Sequence, residues 1–450
     1  MTFLRYPAYK DSGVAWLGEI PSQWEIKPIK HVVTCNDEVL GESTPPNTEL
    51  RYIEISDVSE TQGVTNVQSI IFEDAPSRAR RITQTGDIII STVRTYLKAI
   101  AKIDYSLEGV IVSTGFAVLR PQNGVDVGFL SHAMRAPHFL DMVVAHSVGI
   151  SYPAINTSDL IGFKLPFPPL PEQHAIAAFL DTETARIDTL VAKQVSLIAT
   201  LQEKRRALIS HVVTKGLDPA APMKDSGVPW LGEVPKHWEV KPLGNISANI
   251  QTGPFGSQLH AEDYVEDGVP VINPAHIQAG YIVSDPSCTI SETKANELLR
   301  YKMAPGDIVF GRRGEMGRCA EVLPEQAGWL CGTGSLRVEL NHKLMLSRFA
   351  MLVLSNQGVK EQLELESVGS TMSNLNTTIL SRLRLPLPSL QEQQRVIDIL
   401  DQETTHIDTL ITKSQEMIAV LREHRTALVA AAVTGQIDVR EPSRESGRIK

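Results

Sequence analysis

Residues 165–218 and 385–438 are two versions of one stretch, LPFPPLPEQHAIAAFLDTETARIDTLVAKQVSLIATLQEKRRALISHVVTKGLD and LPLPSLQEQQRVIDILDQETTHIDTLITKSQEMIAVLREHRTALVAAAVTGQID. They are identical at about 25 of about 54 positions, which marks an internal duplication. Each reads as a long helix opened by prolines. Near 40 residues at 1.5 Å each make a helix of about 60 Å, too long for one small domain to bury. The natural partner of each helix is its own duplicate.

Apolar residues recur in steps of four and three. The first copy gives Ile176, Leu180, Ile187, Leu190, Leu197, Leu201 and Leu208, with Glu183, Gln194, Lys204 and His211 as polar members. The second gives Val396, Leu400, Ile407, Leu410, Met417, Leu421, Leu428 and Ala431, with Glu403, Ser414 and His424. Such a pattern is a heptad seam. The helix-pair interface it predicts is Ile187, Leu190, Gln194, Leu197 and Leu201 against Ile407, Leu410, Ser414, Met417 and Leu421. Antiparallel pairing centred on Gln194 opposite Ser414 brings Glu183 to His424 and Lys204 to Glu403. Parallel pairing stacks Glu183 on Glu403, so charge favours the antiparallel arrangement.

A second repeat precedes each helix. YKDSGVAWLGEIPSQWEIKPIK (9–30) returns as MKDSGVPWLGEVPKHWEVKPLG (223–244), with about 14 of about 22 positions identical. It reads as a turn and a short strand, with Trp24, Ile26 and Ile29, or Trp238, Val240 and Leu243, as core anchors. Between the repeats lie blocks of α/β character. RYIEISDV (51–58), GDIIISTVR (86–94) and VIVSTGFAVLRP (110–121) have strand composition, and 129–147 has helical spacing. PVINPAHI (270–277), GDIVFGRRG (306–314), GTGSLRVEL (332–340) and the helical 347–367 follow in the same order. The flanks stayed alike while the middles diverged, as in a constant scaffold around two different readers.

The predicted fold is therefore α/β (α+β): two repeated domains, 1–164 and 219–384, separated by two long antiparallel helices, 165–218 and 385–438, with a disordered tail at 439–450. A chain of 450 residues is long enough for two or three domains with separate cores. No apolar run approaches the roughly 18 residues of a membrane helix, and Met1–Lys10 has no signal-peptide core. Cys35, Cys288, Cys319 and Cys331 form no CxxC pair, so reduced thiols in a cytoplasmic protein are expected.

No catalytic apparatus emerges. Asp11 with Glu25-Ile26-Lys27, and Asp225 with Glu239-Val240-Lys241, have a spacing compatible with a metal-dependent nuclease. Neither aspartate follows a proline, and both phrases read better as scaffold. Asn273-Pro274-Ala275-His276 lacks the second proline and the aromatic residue of an amino-methyltransferase motif, and no cofactor-type glycine loop accompanies it. A phosphate-binding loop and a metal-ligand cluster are also missing from the sequence.

The remaining chemistry is cationic. Arg78, Arg80 and Arg81 form one cluster, and Arg94, Lys98 and Lys102 follow the GDIIIS strand. Arg312, Arg313 and Arg318 follow the equivalent GDIVF strand, and the glycine-rich TGPFGSQ loop carries Ser257 and Gln258. Arginine at loop tips pairs with guanine edges, while lysine mostly holds phosphate. The net charge of −9 runs against a free-standing nucleic-acid binder, so DNA binding must rest on these local groups.

The doubled layout W-L-G-E-[IV]-P-x-x-W-E, GDI strand and L-P-x-P-x-L-x-E-Q before a long helix resembles the specificity subunit of type I restriction-modification enzymes. The resemblance runs from about Tyr9 to Asp438. It implies a non-catalytic subunit with two target recognition domains that read a bipartite, asymmetric double-stranded DNA target across a helical spacer. It also implies two methyltransferase subunits using S-adenosylmethionine, and motor-nuclease subunits using ATP and Mg²⁺. The alternatives are a duplicated protein-interaction scaffold without sequence-specific DNA binding, and the metal-dependent nuclease.

Overall fold

The computed structural model describes residues 4–278, 280–367 and 374–440. The chain divides into two compact units, Met1–Val195 with Gln415–Lys450, and Ser196–Ser414.

In the first unit, Tyr9–Asp11 and Glu19–Pro21 form a hairpin, and Glu25–Pro28 pairs antiparallel with Lys164–Phe167. Pro28 and Pro166 fit because this ladder has only two strands, both of them edges. The block between carries two four-stranded sheets. One has the order Ile100–Lys102, Ile88–Ser91, Phe116–Pro121, Val33–Cys35, all antiparallel. The other has the order Gln68–Ile71, Glu49–Ile53, Ile111–Ser113, Ala79–Ile82, with one parallel pairing. Ile88–Ser91 is buried along its whole length, which explains its unbroken apolar run. Helices Val127–Arg135, Pro137–Ala145 and Thr157–Gly162 complete the unit before the long helix.

The second unit repeats this plan. Met223–Asp225 pairs with Glu233–Pro235, and Glu239–Pro242 with Arg384–Leu387. Ser247–Thr252, Ser335–Leu340, Ile308–Gly311 and Cys319–Glu321 form one sheet. Tyr264–Val265, Thr289–Ile290, Val269–Ile272 and Leu330–Cys331 form the other.

The long helices are Leu170–Lys215 and Leu390–Val433. The L-P-x-P phrases, read above as helix starts, are strands. Residues that precede proline are pushed toward extended backbone, and the helices begin only after Pro169 and Ser389. The first ends at Gly216, whose φ of +77° suits a glycine just past a helix C-terminus. Gly435 plays the same role at φ +74°. A Cβ there would lie 2.3 Å from Pro21 Cδ, so nothing larger fits against the tryptophan motif.

Within each unit the helix segments run antiparallel. In the first, Ile176, Leu180 and Ile187 share a core with Leu428, Val429, Ala432 and Val433. In the second, Ile209, Val212 and Val213 share one with Val396, Ile397 and Leu400. One position of each expected heptad turns inward (Ile187, Gln194, Leu201, Ile407, Ser414 and Leu421), and the other is displaced by one residue. Thr184, Ile187, Val191, Gln194, Ile198, Leu201 and Arg205 turn inward, as do Thr404, Ile407, Ile411, Ser414, Ile418, Leu421 and Arg425. Leu190, Leu197, Leu410 and Met417 are exposed. Each sits beside an apolar neighbour that takes the inward place, so the sequence supports either phase equally. The charged layers move with the displaced position, while Gln194 and Ser414 stay inward. Lys204, Glu403 and His424 are exposed, and Glu183 pairs with Arg186 on its own helix at 3.8 Å.

Val439 and Arg440, assigned to the tail by composition, are held by specific contacts instead. Val439 is buried, and Arg440 hydrogen-bonds Asp438 and lies 5.0 Å over the Tyr6 ring. The rest of the expected tail, 441–450, lies outside the described residues.

Candidate nucleic-acid interface

Both units build a site on one hydrogen-bonded frame. Thr92 N donates to Gly115 O, and Ile155 N to Thr92 O. In the second unit Arg312 N donates to Gly334 O, and Leu375 N to Arg312 O. The GDI aspartates anchor the frame: Asp87 binds Arg120 at 2.8 Å, and Asp307 binds Arg337 at 2.7 Å. Asp87 and Asp307 are both buried, where a carboxylate needs such a partner. Burial nevertheless pushes the Asp307 carboxyl up. Short 3₁₀ turns follow Glu54 and Asn273, each closed by a capping box.

On this frame the first unit opens a cleft of about 520 Å³, lined by Glu54, Ile55, Ser56, Arg78, Val93, Arg94, Ser113, Thr114, Gly115 and Tyr152. Arg78 reaches Glu54 through Nε at 3.1 Å and a terminal nitrogen at 2.8 Å, and Tyr52 Oη donates to the same oxygen at 3.0 Å. The carboxylate holds the Arg78 pKa above its ordinary value. The Arg94 guanidinium stacks 4.8 Å from the Tyr152 ring centre. This arrangement presents arginine donors, a carboxylate acceptor and hydroxyls on one concave wall, the donor and acceptor types that read base edges.

The other predicted cations divide. Arg80 lies over Phe72 at 4.9 Å and is half-buried. Arg81 is a scaffold residue: it donates to Asn36 Oδ1 at 2.5 Å and to the carbonyl of Phe116, and burial lowers its pKa. Its strand, Ala79–Ile82, alternates faces, so neighbouring arginines separate. Lys98 pairs with Asp141 at 2.8 Å.

At the corresponding place in the second unit, Asn273 stands for Glu54, Arg312 for Thr92 and Arg313 for Val93. Arg312 Nε donates to Leu375 O at 3.3 Å, and Arg318 to Pro274 O at 2.9 Å. Arg313 is exposed, with no hydrogen bond or ion pair among the described residues. Ser257 is exposed, whereas Gln258 accepts from Tyr301 Oη at 2.7 Å and acts on the fold.

Glu54, Ser56, Thr114 and Tyr152 were not singled out by the sequence. For the first three the signal was present in the positional match of RYIEIS to PVINPA and of STG to GTG, which marks these turns as the changing part of a fixed frame.

The nuclease geometry is not assembled. Glu25 pairs with Lys27 at 2.7 Å and Glu239 with Lys241 at 2.5 Å, and each lysine lowers its glutamate's pKa. Asp11 Oδ1 caps Gly13 N. Among the described residues no group of three or more His, Cys, Asp or Glu is placed to hold a metal, and no helix is long and apolar enough to cross a membrane.

A sequence model of the family described as "Type I restriction modification DNA specificity domain" matches residues 21–197 and 235–419. The MjaVIII type I restriction enzyme specificity subunit of Methanocaldococcus jannaschii is 22% identical over 438 residues, 94% of each chain. Among solved structures, a chain from work on complex assembly and conformational transition of the type I R-M system aligns with a TM-score of 0.73 at 24% identity. That alignment covers 92% of this chain and 98% of the other. The HsdS subunit from Thermoanaerobacter tengcongensis aligns at 0.56 with 23% identity, over 93% of this chain and 98% of its own.

Proposed function

The chain belongs to the type I restriction-modification DNA specificity family, and from that premise we propose how it divides the reading of DNA between its two halves. It is a specificity subunit: it is non-catalytic, and its repeated domains recognise DNA sequence. Each unit reads one half of a split, asymmetric target. The observation that supports this is the pairing of one backbone frame with two different linings. Glu54, Arg78 and Arg94 line the first, and Asn273, Arg312 and Arg313 occupy the second. Identical frames hold two DNA segments in equivalent poses, and different side chains then select different bases.

Double-stranded DNA, two methyltransferase subunits and motor-nuclease subunits are the partners of this reading. S-adenosylmethionine, ATP and Mg²⁺ belong to those subunits, in the cytoplasm. Partner subunits supply much of the phosphate contact that a chain of net charge −9 does not provide. The test is co-expression with the cognate methyltransferase, followed by mapping of methylated adenines across a host genome. A split motif that disappears with this gene supports the proposal, and unchanged methylation overturns it.

A further inference from the structure

We propose that the loop Val148–Pro153 of the first unit is a wedge that enters the base stack of the DNA half-site, with Ile150 at its point. This rests on the reading of the adjoining cleft as a DNA surface. Ile150 is fully exposed at 102% of its reference area, Val148 at 81% and Tyr152 at 60%. A pinned loop has no folding use for such side chains in water.

The loop is pinned at both ends. Val148 and Ala154 exchange backbone hydrogen bonds of 2.8 and 3.0 Å, and Arg94 N donates to Pro153 O at 2.8 Å. Thr95 Oγ1 donates to Ser147 Oγ at 2.7 Å. Gly149 adopts φ +121°, a conformation that side-chain-bearing residues rarely take. The apex is thereby held out while its stem is fixed to the cleft wall.

Tyr152 is part of that wall, under Arg94. The adjoining turn exposes Tyr96 and Leu97 between two residues in the left-handed region, Arg94 (φ 54°) and Lys98 (φ 49°). An apolar tip flanked by cations and continuous with a polar cleft matches nucleic acid: phosphates meet the cations, and the unstacked step meets the isoleucine.

The test uses the chain in complex with its methyltransferase subunits. The probes are target duplexes carrying 2-aminopurine at successive positions of the first half-site, omitting the methylated adenine. Binding is expected to raise fluorescence at one step. Ile150→Ser should abolish that rise and weaken specific binding roughly ten-fold, the order supplied by burying one isoleucine. Tyr105→Ser, also largely open to solvent at 84% but outside the cleft lining, should change neither reading. Specific binding without a fluorescence rise, or an Ile150→Ser complex that behaves as wild type, overturns the wedge. So does loss of the methyltransferase subunits on purification of Ile150→Ser, which would mark a protein contact. Failure of the unmodified complex to prefer its target overturns the DNA reading itself.

Discussion

Arg425 Nε lies 2.9 Å from Asp188 Oδ1, joining the two long helices through residues 237 apart in the chain. The duplication maps Asp188 onto Asp408 and Arg205 onto Arg425, and Arg205 Nε lies 3.0 Å from Asp408 Oδ1. One ion pair has therefore been kept in both halves, and an antiparallel pair of duplicated helices requires this reciprocity. Parallel helices would place these residues in different layers.

Because both pairs are partly exposed, each contributes at most about 1 kcal/mol. Asp188→Arg should lower the unfolding midpoint slightly, and Asp188→Arg with Arg425→Asp should restore it. Measuring the two single variants and the double variant gives the coupling directly. Zero coupling would remove the pair from the account of register.

Trp24 Nε1 donates to Glu172 at 2.9 Å, and Trp238 Nε1 donates to Glu392 at 2.9 Å. The copies differ in what else holds the carboxylate. Glu392 also meets His237 at 3.0 Å, while Glu172 is more deeply buried, with Arg440 only at 3.9 Å. Trp24→Phe should cost about 1–3 kcal/mol by leaving a buried carboxylate short of a donor, and Trp238→Phe should cost less. Thermal unfolding of both variants checks the order.

The Arg440 guanidinium beside Asp438 holds the aspartate below the usual carboxylate range. A depressed folded pKa stabilises fully above the unfolded value of about 3.9 and is lost as pH falls through the folded value. Asp438→Asn should therefore be less stable than wild type near pH 6, with the gap closing below about pH 4. Urea midpoints across that range measure it. A gap independent of pH would assign the effect to packing.

Arg81 and Arg78 should separate in function although only two residues lie between them. Arg81→Ala strips hydrogen bonds from Asn36 and Phe116 and should lower stability by about 1–3 kcal/mol. Arg78→Ala should leave the melting curve nearly unchanged and relax base preference in one half-site. Circular dichroism and methylation mapping of the two proteins distinguish these outcomes.

The duplication, the element order and the long helices were legible because repeats and periodicity are local properties of sequence. One position of each heptad was not. Leu190-Val191, Leu197-Ile198, Leu410-Ile411 and Met417-Ile418 are apolar doublets, and packing alone chooses which member faces in. The strand at Lys164–Phe167 was hidden because its partner, Glu25–Pro28, lies far away in sequence. Cationic clusters were legible as composition only. Strand alternation turned Arg81 toward Asn36 and Phe116, and Tyr301, from a distant turn, recruited Gln258 into the fold.

The division of labour between the two units is tested most directly by half-site-resolved methylation. The chain is co-expressed with its methyltransferase as wild type, Arg94→Ala and Arg313→Ala, and methylated adenines are mapped across the genome. Arg94→Ala should relax or weaken one half of the split motif, and Arg313→Ala the other. Each loss should be worth about 1–3 kcal/mol of discrimination against the wrong base. If either variant altered both halves alike, or the motif proved continuous, two independent readers on one frame would be contradicted.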